Sequence, residues 1–245
     1  EEKGHRFKSK SDNEVILHLY EEKGTDCLSE LRGMFAFAIW DERNQKLFLA
    51  RDRIGKKPLV YCETSEGILF ASEIKALLLH PSVKKEIDPV ALDLFLTYQA
   101  VPSPYTIFKG IKKLPSAHYL IWERGEIKEI KRYWDINFFN KIKLKSEYEY
   151  TELLWSKLVE ATKLRMIADV PLGAFLSGGI DSSTIVGIMS SLSRIPVKTF
   201  SIGFGEKDFD ELKYAKIVAD RFSTEHHQFI VKPDVINILP QLVWH

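Results

Sequence analysis

A serine- and glycine-rich turn constrains this chain more than any other feature of its sequence. The turn reads Ser177-Gly178-Gly179-Ile180-Asp181-Ser182-Ser183. The apolar residues 170–176 before it predict a short buried strand, and residues 185–189 after it predict a helix with an apolar face. A turn from strand to helix offers unpaired N–H groups and the positive end of a helix dipole, so it favours bound anions.

The residue types in this turn suit a phosphate group. Adjacent glycines lack the Cβ atoms that would keep backbone N–H groups away from an anion. The hydroxyls of Ser177, Ser182 and Ser183 add donors, and Asp181 offers a carboxylate to Mg²⁺. The turn contains no lysine, so it is not a Walker A loop. The alternative is an ordinary tight turn in which Asp181 or Ser182 caps the helix.

The same string resembles the pyrophosphate-binding loop of ATP pyrophosphatases of the asparagine synthetase type, whose pattern is Ser-Gly-Gly-x-Asp-Ser. Enzymes of this type split ATP between its α and β phosphates, adenylate a carboxylate and release pyrophosphate. The resemblance implies ATP and Mg²⁺ as cofactors, with Asp181 as a Mg²⁺ ligand. It also implies a set of ATP- and pyrophosphate-binding residues: Phe175, Leu176, Ser177, Gly178, Gly179, Asp181, Ser182, Ser183 and, packing the adenine from the next strand, Ile202.

The sequence beyond the turn alternates between strands and helices. Residues 197–204 predict a second strand, residues 208–222 a helix that begins with acids, and residues 226–231 a third strand. This βαβαβ order predicts a parallel sheet with its ligand at the carboxyl ends of the strands.

Several residues that could carry chemistry are expected to be structural. His226 and His227 are adjacent in a predicted strand, so their side chains point to opposite faces and cannot easily bind one ion. Glu211 is expected to cap the helix that follows it. Cys27 and Cys62 are each expected to be a small buried hydrophobic side chain or a bystander. Two cysteines do not make a disulfide framework, so a reducing compartment is expected.

The first half of the chain predicts antiparallel strands. Residues 34–40 and 46–51 form one predicted hairpin, and residues 119–122 and 126–130 form another. The charged residues 51–57 follow the first hairpin. On composition alone they predict a solvated loop with weak surface ion pairs.

Three stretches of this half resemble the later part of the class II glutamine amidotransferase domain of glutamine-dependent asparagine synthetases. They read LRGMFAFA at residues 31–38, ARDRIGKKPL at 50–59 and FASEIKAL at 70–77. The resemblance implies a four-layered αββα fold of the N-terminal-nucleophile type. In that fold the thiol of an N-terminal cysteine attacks glutamine and its own α-amino group serves as base. Neither Cys27 nor Cys62 matches that position, so no catalytic residue is assigned.

The first predicted helix begins with a residue that the resemblance assigns to glutamine. Ser11 and Glu14 have capping-box spacing ahead of the apolar residues 15–20. On structural grounds alone, Asp12 is a first-turn acid that favours the helix dipole. The resemblance implies that Asp12 accepts the α-ammonium group of glutamine. The nucleophile and the other glutamine contacts would precede Glu1, so we expect the chain to be an interior fragment.

The predicted architecture combines an α+β domain with an α/β domain. Residues 1–137 are expected to be the C-terminal part of the glutamine amidotransferase type 2 domain, an N-terminal-nucleophile αββα sandwich. Residues 138–146 are expected to be a linker. Residues 147–245 are expected to begin a parallel-sheet ATP-pyrophosphatase domain of the adenine nucleotide α-hydrolase-like kind, with a helix over residues 146–167 ahead of the turn.

Composition excludes two classes of partner. The 245 residues carry a formal net charge of +1, which gives no electrostatic preference for nucleic acid. No apolar stretch approaches the length of a membrane span. We therefore expect a cytoplasmic protein that takes glutamine, aspartate and ATP as small-molecule substrates, with a homodimer left open.

The resemblance as a whole implies asparagine synthesis. Ammonia from glutamine would reach β-aspartyl-AMP formed from aspartate and Mg·ATP, with AMP and pyrophosphate as products. One alternative is a related amidotransferase that amidates another carboxylate, such as one of a cell-surface polysaccharide locus or a β-lactam-forming relative. Another is a non-catalytic module that only holds nucleotide.

Overall fold

The computed structural model describes residues 4–204, 211–231 and 235–244. The chain divides into two compact units, Glu1–Asn140 and Lys141–His245. The helices are α1 (Asn13–Lys23), α2 (Ile74–Leu77), α3 (Pro89–Tyr98), α4 (Glu147–Arg165), α5 (Ile180–Leu192), α6 (Leu212–Arg221) and α7 (Val235–Trp244), with a 3₁₀ helix over Gly24–Ser29. The strands are β1 (Ala36–Asp41), β2 (Lys46–Arg51), β3 (Val60–Thr64), β4 (Gly67–Ala71), β5 (Ile111–Lys113), β6 (His118–Glu123), β7 (Glu126–Arg132), β8 (Gly173–Phe175), β9 (Lys198–Phe204) and β10 (Glu225–Val231). In the part of the chain described, every helix is too short or too polar to cross a membrane.

Two antiparallel sheets form the first unit. One has the strand order β1-β2-β6-β7 and the other the order β4-β3-β5. The β1–β2 hairpin pairs Trp40 with Leu47, and the β6–β7 hairpin pairs Glu123 with Glu126. Both hairpins predicted from the sequence are confirmed.

The packing of the first unit follows from the alternation of side chains along β2 and β3. Phe48 and Ala50 face a cluster with α1 and the 3₁₀ helix, whereas Leu47 and Leu49 on the opposite face of β2 pack toward Tyr61 of β3. The other face of β3 packs against α2 through a cluster of Val60, Cys62, Leu77, Val83 and Ile111. The layers therefore run helix, sheet, sheet, helix.

The charged segment after β2 is only partly a solvated loop: Ile54, Lys56 and Lys57 are exposed, but Arg51 and Asp52 are held by hydrogen bonds to the backbone instead of by surface ion pairs. The Arg51 guanidinium donates to the carbonyl oxygens of Gly55, Lys57 and Leu114 at 2.7–2.9 Å. Asp52 is 2% exposed, and its carboxylate accepts backbone N–H groups of Phe35, Ile54, Lys56 and Lys57 at 3.0–3.3 Å. These two side chains supply the hydrogen bonds that an irregular buried backbone would otherwise lack.

The start of α1 also differs from the predicted capping box. Ser11 Oγ accepts the backbone N–H of Asn13, not that of Glu14. The carboxylate of Glu14 turns back to the N–H groups of Lys8 and Ser9 at 2.6 and 2.7 Å. Glu14 therefore stabilises the segment that precedes α1 and takes no part in a capping box.

The second unit contains the predicted parallel sheet. Strands β8 and β9 pair in parallel, as do β9 and β10, in the order β10-β9-β8. Helix α5 connects β8 to β9 and α6 lies between β9 and β10, so the βαβαβ order is confirmed. The predicted helix after the linker is also confirmed as α4, and Ser146 caps it by accepting the N–H of Glu149 at 3.3 Å.

Strand β8 is shorter and more exposed than the sequence predicts. It spans Gly173–Phe175 only, and Val170 is 71% exposed. Pro171 has no N–H group to donate to a ladder, so regular pairing begins after it. Leu176, just beyond the strand, is buried in a cluster with Val186 of α5 and with Ala215 and Ala219 of α6.

Candidate functional site

The carboxyl end of β8 is joined to the middle of β9 directly before the serine- and glycine-rich turn. The N–H of Leu176 donates to the carbonyl of Phe200 at 2.8 Å. The buried Ser201 hydroxyl donates to the carbonyl of Leu176. These two bonds hold the backbone of Leu176 against β9 and so fix the position from which the turn at Ser177 begins.

Gly178 and Gly179 have different surroundings. Gly178 has a φ of +84°, and a Cβ there would lie 2.5 Å from the backbone of Tyr214 and Ala215, in the first turn of α6. Gly179 has a φ of −70°, and a Cβ there would meet only Ser177 Oγ, at 3.4 Å. Folding therefore requires glycine at 178, whereas at 179 the missing Cβ leaves room above the turn.

The hydroxyl groups of Ser177 and Ser182 bond to each other and to the backbone of Gly179, where Ser177 Oγ accepts the N–H of Gly179 at 3.3 Å. Ser177 Oγ and Ser182 Oγ are 3.1 Å apart, and Ser182 Oγ donates to the carbonyl of Gly179 at 3.2 Å. The Ser183 hydroxyl is buried and finds no hydrogen-bond partner among the described residues. Gly179 is the N-cap of α5 and no side chain caps the helix, so the alternative in which Asp181 or Ser182 is the cap is wrong. The first N–H groups of α5 remain for a ligand or solvent.

A cavity of about 200 Å³ opens beside the turn, at the carboxyl end of β8 and the middle of β9. Its walls come from these two strands, from Ser177 and from the start of α6: Phe175, Leu176, Ser177, Phe200, Ser201, Ile202, Glu211 and Leu212. The structure thus brings Ile202, which is 49% exposed, to the same cavity as the predicted residues of the turn. Ligands of open parallel sheets bind at this edge.

Sequence reasoning missed four residues of this site. Ser201 and Phe200 precede Ile202 on β9, and the alternation of polar and apolar residues there was the available signal. Glu211 and Leu212 reach the cavity because α6 begins beside Gly178. Glu211 occupies the N-cap position of α6 but makes no side-chain cap bond, so its predicted role as a capping acid was wrong. Asp208, which opened the predicted helix, lies outside the described residues.

The two predicted acidic ligands lie at helix starts. Asp181 is exposed in the first turn of α5, and no described group donates a hydrogen bond to its carboxylate. Asp12 belongs to the first unit, where it is the exposed N-cap of α1 and makes no side-chain cap bond. Both carboxylates are therefore available to a ligand, each within its own unit.

The histidines of β10 have structural contacts. His226 Nδ1 lies 2.9 Å from Thr199 Oγ1, and burial lowers the pKa of His226. His227 stacks on Phe200 with ring centroids 5.1 Å apart. The two rings have separate partners, as predicted.

Neither cysteine has the properties of a nucleophile. Both are buried and free of disulfides. Burial raises the pKa of Cys27 to about 11 and also raises the pKa of Cys62. Thiols with such pKa values stay protonated near neutral pH and are poor nucleophiles.

The sequence matches two protein-family models that divide the chain between them. Residues 1–134 match the glutamine amidotransferase domain, and residues 154–245 match asparagine synthase. The chain belongs to the glutamine-hydrolysing asparagine synthetase family. Both resemblances drawn from the sequence, that of the turn at Ser177 and that of the stretches in the first half, are confirmed by these matches.

Relatives of this family cover the chain almost from end to end. A protein from Methanocaldococcus jannaschii is 40% identical over 242 residues, which is 96% of this chain and 46% of the relative. Asparagine synthetase [glutamine-hydrolyzing] 3 of Bacillus subtilis is 35% identical over 98% of this chain and 41% of its own length. Amidase chry2 of Gibberella zeae is 37% identical over 94% of this chain and 36% of its own length. The chain thus spans less than half the length of the curated relatives named.

Among solved structures, a glutamine-dependent NAD+ synthetase from Acinetobacter baumannii in complex with ADP has a TM-score of 0.33 at 14% identity. The superposition covers 96% of this chain and 58% of that chain. Similarity at this level does not establish a shared architecture.

Proposed function

We propose that the full-length protein carrying this chain makes asparagine from aspartate by ATP-dependent amidation with ammonia taken from glutamine. The β-carboxylate of aspartate attacks the α-phosphorus of ATP, which gives β-aspartyl-AMP and pyrophosphate. Ammonia then displaces AMP. The observation that carries the proposal is the turn at Ser177, where the end of β8, the middle of β9, the starts of α5 and α6, and a cavity meet.

The cavity beside the turn suits one end of the nucleotide. Its volume of about 200 Å³ is smaller than the roughly 300–1,000 Å³ of pockets that enclose a whole ligand. Ile202 and Phe175 give it apolar walls on which the adenine packs. The triphosphate then extends over the turn, where Gly179 lets it approach the N–H groups at the start of α5.

Asp181 fits a Mg²⁺ ion bound with ATP. Its carboxylate is a hard oxygen ligand, it stands on the same helix turn as the phosphate-facing N–H groups, and it is exposed without a donor among the described residues. Asp181 would hold the ion there, and the charge of the ion would offset that of the pyrophosphate group. Ser177 and Ser182 add hydroxyl donors on the same side of the turn.

The first unit is proposed to be the later part of the glutaminase. Its helix, sheet, sheet, helix layering is the arrangement expected of an αββα N-terminal-nucleophile domain. Asp12, exposed at the start of α1, takes the α-ammonium group of glutamine. We propose residues 1–137 and 147–245 as the portions of the two domains, joined by residues 138–146.

A second candidate is amidation of a different carboxylate. Two relatives of similar identity, Amidase chry2 of Gibberella zeae and Amidase chyE of Penicillium rubens, are not named asparagine synthetases. The turn at Ser177 is proposed to bind ATP, which is needed whichever carboxylate is adenylated. The turn therefore does not distinguish between the two candidate functions.

The test is an assay of the full-length protein with glutamine, aspartate and Mg·ATP. Asparagine, AMP and pyrophosphate in equal amounts support the proposal. Pyrophosphate release with another carboxylic acid, but not with aspartate, favours the second candidate. ADP and orthophosphate as products contradict adenylation, and ATP binding without turnover of any acceptor identifies a non-catalytic module.

A further inference from the structure

Two histidines and three glutamates lie close together on α1 and on the segment before it, in the first unit and outside the proposed glutamine and ATP sites. The centre of this group consists of His5, His18 and Glu21, whose ligand atoms all lie within 4.8 Å of one another. Glu14 and Glu22 lie behind the two histidines. These five residues are called the α1 histidine cluster below.

Two of the three separations between the central atoms are close to those around a tetrahedral ion. Glu21 Oε2 lies 3.0 Å from His18 Nδ1 and 3.5 Å from His5 Nδ1. Ligands at about 2.0–2.1 Å from a tetrahedral Zn²⁺ are separated by about 3.3–3.4 Å. The ligand atoms of the two histidines lie within 4.8 Å of each other, so an ion would require the two rings to move closer together.

The opposite nitrogen of each ring faces a carboxylate. His5 Nε2 lies 3.0 Å from Glu22 Oε1. His18 Nε2 is buried without a hydrogen bond, and the carboxylate nearest to it is Glu14 Oε1 at 3.6 Å. Metal-bound histidines typically donate their second N–H to such a carboxylate, which fixes the tautomer. His5 therefore has the partner that a metal ligand needs on its far side, and Glu14 lies close enough to His18 to become one after a small movement.

The charge of the cluster favours a dication. Three glutamates stand against two histidines. The Ser9 hydroxyl and the backbone N–H groups of Lys8 and Ser9 donate hydrogen bonds to the Glu14 carboxylate, an arrangement that suits its ionised form. Arg6 and Lys8 are basic residues that line the same cavity, so the excess of negative charge is confined to the cluster itself.

An ion can reach the cluster from outside. A cavity of about 590 Å³ runs along α1 and includes Glu14, His18 and Glu21 in its walls. The Glu21 side chain is 63% exposed, whereas those of His5 and His18 are only 22% and 20% exposed. The site thus has one open side, through which a water ligand can complete the coordination.

We propose that His5 Nδ1, His18 Nδ1 and Glu21 Oε2 bind a divalent transition-metal ion, with Zn²⁺ the best match to two imidazoles and one carboxylate. The ion links the segment before α1, through His5, to the helix itself, through His18 and Glu21. Asp12 lies between these two attachment points in the sequence. The site is structural and takes no part in the amidation chemistry.

The test is a zinc titration of the full-length protein after chelator treatment, followed with a chromophoric zinc indicator. Wild type should bind one Zn²⁺ per chain, and His18→Gln and Glu21→Gln should each weaken binding by more than about tenfold. Glu22→Gln should weaken it by about tenfold, since it removes only the outer partner of His5. His227→Gln is the matched control, because His227 lies on β10 outside the cluster, and it should leave zinc affinity unchanged.

A thermal measurement separates a built site from a loose surface site. Zn²⁺ should raise the Tm of wild type and of His227→Gln but not that of Glu21→Gln. Because the Glu21 side chain is largely exposed, Glu21→Gln should fold like wild type. This variant therefore tests the proposal even if His18→Gln fails to fold. Equal zinc affinity in Glu21→Gln and wild type, or no saturable binding by wild type, overturns the proposal.

Discussion

Gly178 meets the backbone of Tyr214 so closely that a Cβ atom at 178 would lie 2.5 Å from the Tyr214 carbonyl carbon. The contact joins the turn that precedes α5 to the first turn of α6. The neighbouring glycine has no such contact, although the two are adjacent in sequence. Glycine at 178 is therefore required by the packing of α6, whereas glycine at 179 leaves space for a ligand.

The two glycines should respond differently to alanine. Gly178→Ala must relieve a backbone clash and a positive φ, so we expect it to lower the free energy of unfolding by about 1–3 kcal/mol. Gly179→Ala should change stability by less than about 0.5 kcal/mol. In the full-length protein, however, it should weaken ATP binding, because its Cβ enters the space above the turn. Urea unfolding and nucleotide titration of both variants check this, and a Gly179→Ala protein that binds ATP normally would argue against phosphates at this position.

Asp181 should matter for catalysis and not for folding. Asp181→Ala should abolish Mg²⁺-dependent pyrophosphate release by the full-length protein while leaving the urea midpoint within experimental error, because the exposed carboxylate has no donor among the described residues. Asp169→Ala, at another exposed acid of the second unit, is the control. Retained pyrophosphate release in Asp181→Ala would remove this residue from the site.

Asp12 should affect only the glutamine half of the reaction. Asp12→Asn should lose glutamine-dependent synthesis, since a neutral amide no longer pairs with the α-ammonium group, yet keep synthesis from added ammonium chloride. Its helix should persist, because the Asp12 side chain makes no cap bond in α1. Parallel assays with the two nitrogen sources provide the measurement. An equal loss with both sources would be inconsistent with the assignment.

Asp52 should make the first unit sensitive to acid. Burial by itself raises the pKa of this carboxyl, but the N–H groups of Lys57, Lys56, Ile54 and Phe35 outweigh burial and bring the pKa below its ordinary value. A lowered folded-state pKa stabilises the protein above the unfolded pKa of about 3.9, and this contribution disappears as the pH falls through the folded value.

Asp52→Asn tests that contribution. The amide would set an NH₂ group against backbone donors, so we expect a loss of about 1–3 kcal/mol at pH 7. The loss should shrink as the pH falls below about 4, where the unfolded wild-type chain takes up a proton first and the folded protein follows at the lowered pKa of Asp52. Urea unfolding of both proteins across this range checks the sign, and a difference that does not depend on pH would show that the charge of Asp52 is unimportant.

Much of the architecture was accessible from the sequence because it depends on local patterns. The alternation in residues 34–51 predicted the first hairpin, and the order of elements after Ser177 predicted a parallel sheet. The parts that failed depend on contacts between distant residues. Composition does not reveal that Arg51 reaches the carbonyl of Leu114, which ties a largely exposed loop to a distant part of the chain.

The same division applies to the candidate site. The Ser-Gly-Gly string is specific enough to indicate a family, and the resemblance to that family predicted both the turn and Ile202 as site residues. The contribution of Glu211 and Leu212 could not, because it depends on where α6 begins relative to Gly178, more than thirty residues earlier. The α1 histidine cluster joins His5 to His18 across the start of a helix, and only the folded chain brings those rings to a centroid separation of 4.5 Å.

Strand β2 pairs with β1 along one edge and with β6 along the other. One face of β2 is covered by α1 and the 3₁₀ helix, and its other face is covered by the second sheet. No local opening can bring its amides into contact with water without separating both layers. The peptide protons of Phe48 and Leu49 should therefore be among the last in this unit to exchange with deuterium, at a rate that reports its global unfolding.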